Sequence, residues 1–366
     1  MRSLILSLPL LLISPPEITT KTVKPSPLFS NNNINNNFCK LRHKLTNNKK
    51  SRNLVWSPNG EKIAFNLGGN IYVMNKNGSK ITQLTNLKNI NFKTSNDFSG
   101  IWAGKPVWSP NGEKIAFRVI NNYGYRGCCN TDIYIINADG SQLTNLTNDI
   151  PGNGYSSNFS PGNPPVWSPD SKQIAFDFYG YIHVVNINNP EKLDFSHETG
   201  IGIFSSQSPR WSPDGKQIAF AAKDIYIMNT DGSNLKQLTT NMNTDRPVWS
   251  PDGKQIAFET KDYDRLYTGD IYIINNDGSG LLNVSNRPGE DIGAIWSPDG
   301  KNIIFYTKFG GGGDLYINNT NRSGEINLGE IVNYSTDLAL SPDGKYLAFS
   351  DDNDIYVIDI EQYKNQ

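Results

Sequence analysis

Residues 211–220 read WSPDGKQIAF, and residues 249–258 read the same ten letters again, 38 positions further on. Near copies stand at 56–65 and 108–117 (WSPNGEKIAF), 167–176 (WSPDSKQIAF), 296–305 (WSPDGKNIIF) and 340–349 (LSPDGKYLAF). A unit that cannot bury its apolar faces alone is stacked against copies of itself, so repetition outranks chain length as a guide to architecture. The seven units, starting near 56, 108, 167, 211, 249, 296 and 340, are read as one array, although 366 residues alone would suggest about two domains.

Each unit reads as four strands. The Val-Trp or Ile-Trp pair is a short apolar strand, and Ser-Pro-Asp-Gly then matches a type I turn, with Pro presetting φ at its second position. Lys-Gln-Ile-Ala-Phe supplies a second strand. A third follows a variable gap, as in DIYIIN (132–137 and 270–275), DIYIMN (224–229), DLYINN (314–319) and DIYVID (354–359). An Asn/Asp-Gly turn leads to a fourth, such as QLTN (83–86) or KQLTT (236–240). Strands apolar on both sides belong to sheets covered on both faces. Units of 38 to 59 residues with that property fit radial packing, which predicts an all-β, seven-bladed β-propeller of four-stranded antiparallel blades. The last unit stops after its third strand, while HKLTNNKK (43–50) has a fourth strand with no unit before it. A strand near Lys44–Asn47 is therefore expected to close the ring, removing two exposed sheet faces.

The pattern W-S-P-D-G-K-x-I-A-F, then D-I-Y-x-M-N-x-D-G-S and L-T, resembles the repeat of the TolB family of periplasmic propellers over about residues 44–366. The resemblance implies the propeller fold and an exported location. TolB resembles a six-bladed propeller behind a separate N-terminal domain, and seven copies stand here, so the resemblance carries the fold further than the cell-envelope role. Related repeats also occur in propellers fused to prolyl-oligopeptidase-type hydrolases and in some oligosaccharide lyases.

The propeller is expected to occupy 44–366, behind a leader at 1–23 and an Asn-rich disordered tether at 24–43. MRSLILSLPLLLIS at the start is too short to span a bilayer and suits the core of a secretory signal, although no A-x-A-like cleavage site follows; the other reading is an unstructured leader. No transmembrane span is expected elsewhere. The formal net charge of −1 gives no field for gathering nucleic acid. Cys39, Cys128 and Cys129 form neither a disulfide framework nor a metal-ligand spacing; the adjacent pair is read as two loop thiols or a vicinal disulfide.

Residues placed alike in every blade are read as structural. Trp56, Trp108, Trp167, Trp211, Trp249 and Trp296 are expected to wedge between blades, with Leu340 in the seventh. Asp132, Asp224, Asp270, Asp314 and Asp354, which open third strands, are read as turn-capping carboxylates, Asn70 and Tyr181 replacing them in two blades. Function is expected where the repeat is broken. The gap between strands two and three and the link between blades share one rim, and the insertions 86–105, 120–131, 148–164, 259–269 and 306–313 all fall on it. They carry Trp102, Tyr123, Tyr125, Arg126, Tyr155, Phe159, Tyr263, Arg265, Tyr267 and Phe309, residue types that dominate interface hot spots.

No nucleophile elbow, P-loop or dinucleotide fingerprint is present. His183 takes the Tyr slot of a third strand and is assigned to the core, which leaves His197 as the one credible base. No catalytic residue, metal ligand or cofactor is assigned, a structural cation staying open. The expectation is a non-catalytic scaffold binding a protein or peptide partner through its variable rim. A carbohydrate-binding or lyase-like propeller is the alternative, and a structural module of an envelope assembly the second alternative.

Overall fold

The computed structural model describes residues 42–89, 101–121, 130–147, 163–178, 180–197, 207–261, 268–309, 312–331 and 337–361. Their strands form seven antiparallel sheets, each taking its strands in chain order except where the ring closes. The first strands of blades 1 to 7 are Ser51–Trp56, Ile101–Ala103 with Val107–Trp108, Val166–Trp167, Gln207–Trp211, Thr244–Trp249, Glu290–Trp296 and Leu338–Leu340. Each touches the first strand of the next blade, and Leu338–Leu340 touches Ser51–Trp56. First strands that contact one another around a closed cycle must line the axis. The protein is thus a seven-bladed β-propeller.

The repeated letters have local physical causes. In every Ser-Pro-Asp/Asn-Gly turn but one the fourth residue is glycine at positive φ, as at Gly253 (φ 69°), and blade 3 puts Ser171 there (φ 62°). The serine hydroxyl donates to the Asp or Asn two residues on (Ser212 to Asp214, 2.7 Å) and accepts the backbone N–H that opens the second strand (Gln217, 2.9 Å). The glycine also lets blades approach closely. A Cβ at Gly253 would lie 3.5 Å from Pro213 of the blade before, and one at Gly60 would lie 3.6 Å from Pro342 of blade 7. Phe of the second strand stacks beside Tyr of the third in six blades, as in Phe220–Tyr226 with centroids 5.7 Å apart. In blade 3 His183 takes the Tyr place, 5.4 Å from Phe176. It is buried, and burial lowers its pKa, so it stays neutral at pH 7.

The six tryptophans are buried between blades. Five indole nitrogens donate to the carbonyl one residue before the equivalent position in the preceding blade: Trp167 to Val107, Trp211 to Val166, Trp249 to Arg210, Trp296 to Val248, and Trp56 to Ala339 of blade 7, at 3.0–3.3 Å. The Trp108 indole nitrogen is buried with no hydrogen-bond partner among the described residues.

The Asp that opens a third strand is a clasp for the fourth. Asp132 and Asp224 each accept from a fourth-strand threonine (Thr147 and Thr239) at 2.9 Å. That threonine also accepts the N–H of the following isoleucine. Blade 7 borrows the same clasp from the start of the chain. Thr46 donates to Asp354 at 3.0 Å and accepts from Ile355 N–H at 2.9 Å, while Lys44 Nζ lies 2.8 Å from Asp354. The paired closing strand is His43–Lys44, continued by Leu45 N–H on Ile355 O. It starts one residue before the expected Lys44–Asn47, because pairing is made by backbone groups and the Thr46 side chain anchors it from beyond the ladder. Residues 306–313, expected as a loop insertion, instead largely extend a hairpin, Asn302–Phe309 against Gly312–Asn319.

Burial alone would raise the Asp354 pKa, but hydrogen bonds from Lys44, the backbone of Asn48 and Lys49, and Thr46 hold it below the ordinary carboxylate value. A depressed folded-state pKa gives stability that is present above the unfolded value of ~3.9 and lost as pH falls through the folded value. Thr46→Val removes two clasp bonds and is expected to cost about 1–3 kcal/mol in urea unfolding at pH 7. Because it removes one of the bonds that depress Asp354, the variant should also lose less stability than wild type on acidification below pH ~4.

Candidate functional site

Four inner strands carry a bulge at one place, three residues before the tryptophan. The residues there are Asn53, Ser208, Arg246 and Gly293, all with positive φ (57°, 57°, 48° and 74°), and the strand register shifts beside each. A bulge turns side chains out of the regular alternation and frees a backbone N–H. Carboxylates satisfy three of these groups: Asp337 of blade 7 accepts Asn53 N–H (2.7 Å), Asp245 accepts Arg246 N–H (2.8 Å), and Glu259 of blade 5 accepts Gly293 N–H (2.7 Å). All lie toward the rim that bears the insertions, at the mouth of the axial channel.

These three acids, and Glu290, draw in cations. Lys261 Nζ is 2.7 Å from Asp245, Arg246 Nη1 is 3.3 Å from Glu259, Lys308 Nζ is 3.4 Å from Glu290, and Lys105 Nζ is 3.9 Å from Asp337. Buried Arg118 donates to Asp177 of blade 3 at 3.0 Å and to Asn163 O at 3.1 Å. The Arg246–Glu259 pair pulls its two members unequally. Glu259 raises the Arg246 pKa, yet burial outweighs Arg246 and lifts Glu259 above the usual carboxylate value. Two donors, Arg246 and Gly293 N–H, nevertheless fall on separate oxygens of Glu259, the arrangement of an ionised carboxylate.

Lys105 and Arg210 reveal where these groups meet. Burial lowers the Lys105 pKa, with Asp337 of blade 7 opposing and Arg210 and Arg246 of blades 4 and 5 adding to the effect. Burial also lowers that of Arg210, which is coupled to Asp177 of blade 3 and to Arg246, Asp245 and Glu259 of blade 5. Blades 2, 4, 5 and 7 come together only on the axis. The inner ends of these blades thus carry charges of both signs, with Lys105 of blade 2 reaching Asp337 of blade 7 past blade 1.

Of the residues singled out from the sequence, Trp102 stands in Ile101–Ala103 opposite Ile120, half-buried beside the Gly68–Gly69 turn of blade 1. Phe309 ends a strand opposite Gly312. Tyr123, Tyr125, Arg126, Tyr155, Phe159, Tyr263, Arg265 and Tyr267 lie outside the described residues, as do the three cysteines, the leader and nearly all of the tether. His197 ends the outer strand of blade 3 opposite Ile182. Among the described residues no group of three or more His, Cys, Asp or Glu is placed to hold a metal. No described helix is long and apolar enough to cross a membrane.

Sequence reasoning passed over the channel set. Its signal is the column after Ile-Ala-Phe: Asn66, Arg118, Asp177, Ala221, Glu259, Tyr306 and Ser350. Six are buried, and four of the polar ones bind the channel mouth or a neighbouring blade: Asn66 donates to Ala103 O at 3.2 Å, and Arg118, Asp177 and Glu259 act as described above.

An all-β propeller with inserted loops on one rim and a polar axial mouth is a scaffold class shared by many activities. The TolB beta propeller domain matches residues 163–265 and 247–366, together more than half of the sequence, and the chain belongs to that family. Residues 28–122 match the dipeptidyl peptidase IV N-terminal region. Among solved structures, the chain is similar to oligogalacturonate lyase from Vibrio parahaemolyticus (17% identity, 88% of this chain and 94% of that one, TM-score 0.61). It is also similar to hydrazine synthase from Kuenenia stuttgartiensis (15% identity, 84% and 94%, TM-score 0.60). TolB from Acinetobacter baumannii aligns at 19% identity over 81% and 76%, with a TM-score of 0.46. At these identities the likeness is one of fold. No curated protein sequence matches the chain.

One buried acid gives the mouth a measurable pH response. Asp291, fully buried on the inner strand of blade 6, accepts from Thr307 at 2.5 Å. Burial pushes its pKa up to about 6, against the hydrogen bonds of Ser285 and Thr307 and the charge of Arg287. Its folded pKa exceeds the unfolded value of ~3.9, so its contribution to stability is full below that value and is lost as pH rises through about 6. Asp291→Asn should abolish this loss, gaining roughly 2–3 kcal/mol at pH 7.5 relative to pH 4 in urea titrations of the two proteins. An unchanged pH profile would refute the shifted acid.

Proposed function

We propose that the protein is a non-catalytic, exported binding scaffold that takes a protein or peptide partner on its variable rim, over the channel mouth. The observation that carries this reading is the convergence of bulged inner strands and charged side chains at the same rim as the insertions. A bulge holding non-glycine residues at positive φ costs free energy, and strained positions of that kind concentrate where a ligand is met. The rigid ring supplies the frame, and the insertions, rich in Tyr, Trp and Arg, supply contact area. Membership of the TolB propeller family is compatible with this role and does not select the partner. The apolar run at residues 4–13 supports export.

The test is capture from an envelope extract of the source organism on the immobilised full chain. A parallel column carries Tyr123, Tyr125, Arg126, Tyr263 and Tyr267 changed to Ala. A specific protein is expected on the first column and not on the second. Retention of glycans alone would replace this reading with a carbohydrate-binding one. Identical material on both columns would remove the rim as the binding face.

A further inference from the structure

The turn between the third and fourth strands repeats in four blades. It reads Asp139-Gly140-Ser141 in blade 2, Asp231-Gly232-Ser233 in blade 4 and Asp277-Gly278-Ser279 in blade 5, while blade 1 carries Asn77-Gly78-Ser79. In the three aspartate turns the serine N–H and hydroxyl both donate to one carboxylate oxygen, at 2.8–2.9 and 2.6 Å. In blade 1 the same two donors reach Asn77 Oδ1, at 3.1 and 2.7 Å. Asn77 is exposed, and Gly78 follows it at positive φ (81°) with no side chain to shield its backbone nitrogen. An exposed asparagine before glycine is open to a reaction that needs only water. The glycine nitrogen, having given its proton to hydroxide, attacks the side-chain Cγ. The Cγ–Nδ2 bond then breaks, and ammonia leaves with a proton taken from water. Water opens the resulting succinimide at either carbonyl, giving aspartate or an isoaspartate whose main chain runs through Cβ. The attack places negative charge on Oδ1, where both Ser79 donors already point.

We propose that Asn77 is a site of spontaneous deamidation placed on the ring closure: its aspartate product is held as blades 2, 4 and 5 hold theirs, and its isoaspartate product loosens the closing strand. The aspartate branch rests on the copies within the chain. Asp139, Asp231 and Asp277 take the same serine bonds, which hold their carboxyls below the ordinary value. The isoaspartate branch rests on what Gly78 touches. A Cβ on Gly78 would lie 3.0 Å from Leu45 O and 3.3 Å from Leu45 Cα, and Leu45 N–H continues the closing strand by donating to Ile355 O at 2.8 Å. A methylene added to the main chain beside Gly78 therefore presses on Leu45. The equivalent glycines stand further off, Gly140 at 3.5 Å from Leu84 and Gly278 at 3.8 Å from Leu238. Asn59 and Asn111 also precede glycine, and Asn153, the fourth such residue, lies outside the described residues. In all three described turns the glycine nitrogen is hydrogen-bonded (Gly78 to Asn75 O, Gly60 to Ser57 O, Gly112 to Ser109 O, at 2.8–2.9 Å), so each turn must open before attack. Pro58 and Pro110 stiffen the turns of Asn59 and Asn111 against that opening, and Asn111 Nδ2 is tied to Glu113 Oε2 at 2.9 Å.

The experiment ages the full chain at physiological temperature and mildly alkaline pH, then reads each asparagine by peptide mapping with mass spectrometry. Electron-transfer fragmentation tells isoaspartate from aspartate. A gain of one mass unit is expected at Asn77, with Asn59 and Asn111 about two- to fivefold slower, the handicap of a stiffening proline. Backbone hydrogen exchange at Leu45 should quicken in the isoaspartate fraction and keep the unaged rate in the aspartate fraction. Asn77→Asp should melt no lower than wild type, and ageing of Asn77→Gln should leave Leu45 exchange unchanged. Should Asn77→Gln not fold, Asn77→Asp, which lacks the amide leaving group, serves the same comparison. Modification of Asn59 or Asn111 as fast as that of Asn77, or none at Asn77, overturns the site. Equal Leu45 exchange in the unaged, aspartate and isoaspartate forms overturns the link to ring closure, and a destabilised Asn77→Asp overturns the held product.

Discussion

Every blade must be held at a fixed distance and angle from the one before it, and in five of the seven blades an indole of the inner strand bonded to the preceding blade does this. The ring buries apolar area at the blade interface, while its N–H reaches a backbone carbonyl of the preceding inner strand. A buried donor without an acceptor would be costly, so the bond fixes position as well as adding affinity. Trp56 makes the same bond to Ala339, which places the first blade against the last in the geometry used at four other junctions. Closure is thus a repetition of one contact, and the Thr46–Asp354 clasp completes the outer edge with a bond that contiguous blades also use.

A frame so regular makes its departures meaningful. The turn rim is uniform because each Ser-Pro-Asp-Gly turn seats against the proline of its neighbour, which leaves no freedom in length or shape. On the opposite rim no such turn-to-proline contact is made among the described residues, and there the insertions begin and the inner strands bulge. The three acids that satisfy the bulges each hold a cation as well. Backbone distortion and channel electrostatics are therefore one arrangement. Glu259 shows this most directly, since one oxygen takes the Gly293 N–H and the other faces Arg246.

The site was less legible than the frame. Aromatic residues in the insertions draw attention by composition, whereas Arg118, Glu259 and Arg246 sit inside strands that read as ordinary repeat. Asp245 and Arg246 are adjacent in sequence, but at the bulge Asp245 takes Gln207 of blade 4 and Lys261, while Arg246 takes Glu259. The trace in the sequence is variability in a column that follows an invariant phenylalanine. Reading that column as a site requires knowing that it lies near an axis where seven blades meet.

The sequence by itself determined the number of blades, the strand order within them, the wedge, the turn and the need for the chain's beginning to complete its end. These follow from local chemistry repeated seven times, and each copy testifies for the others. Only the tertiary structure decided that Lys105 and Asp337, 232 positions apart, form an ion pair. The physical reason is that charge interactions depend on distance in space. A closed ring brings residues of opposite blades together at its axis, whatever their separation along the chain.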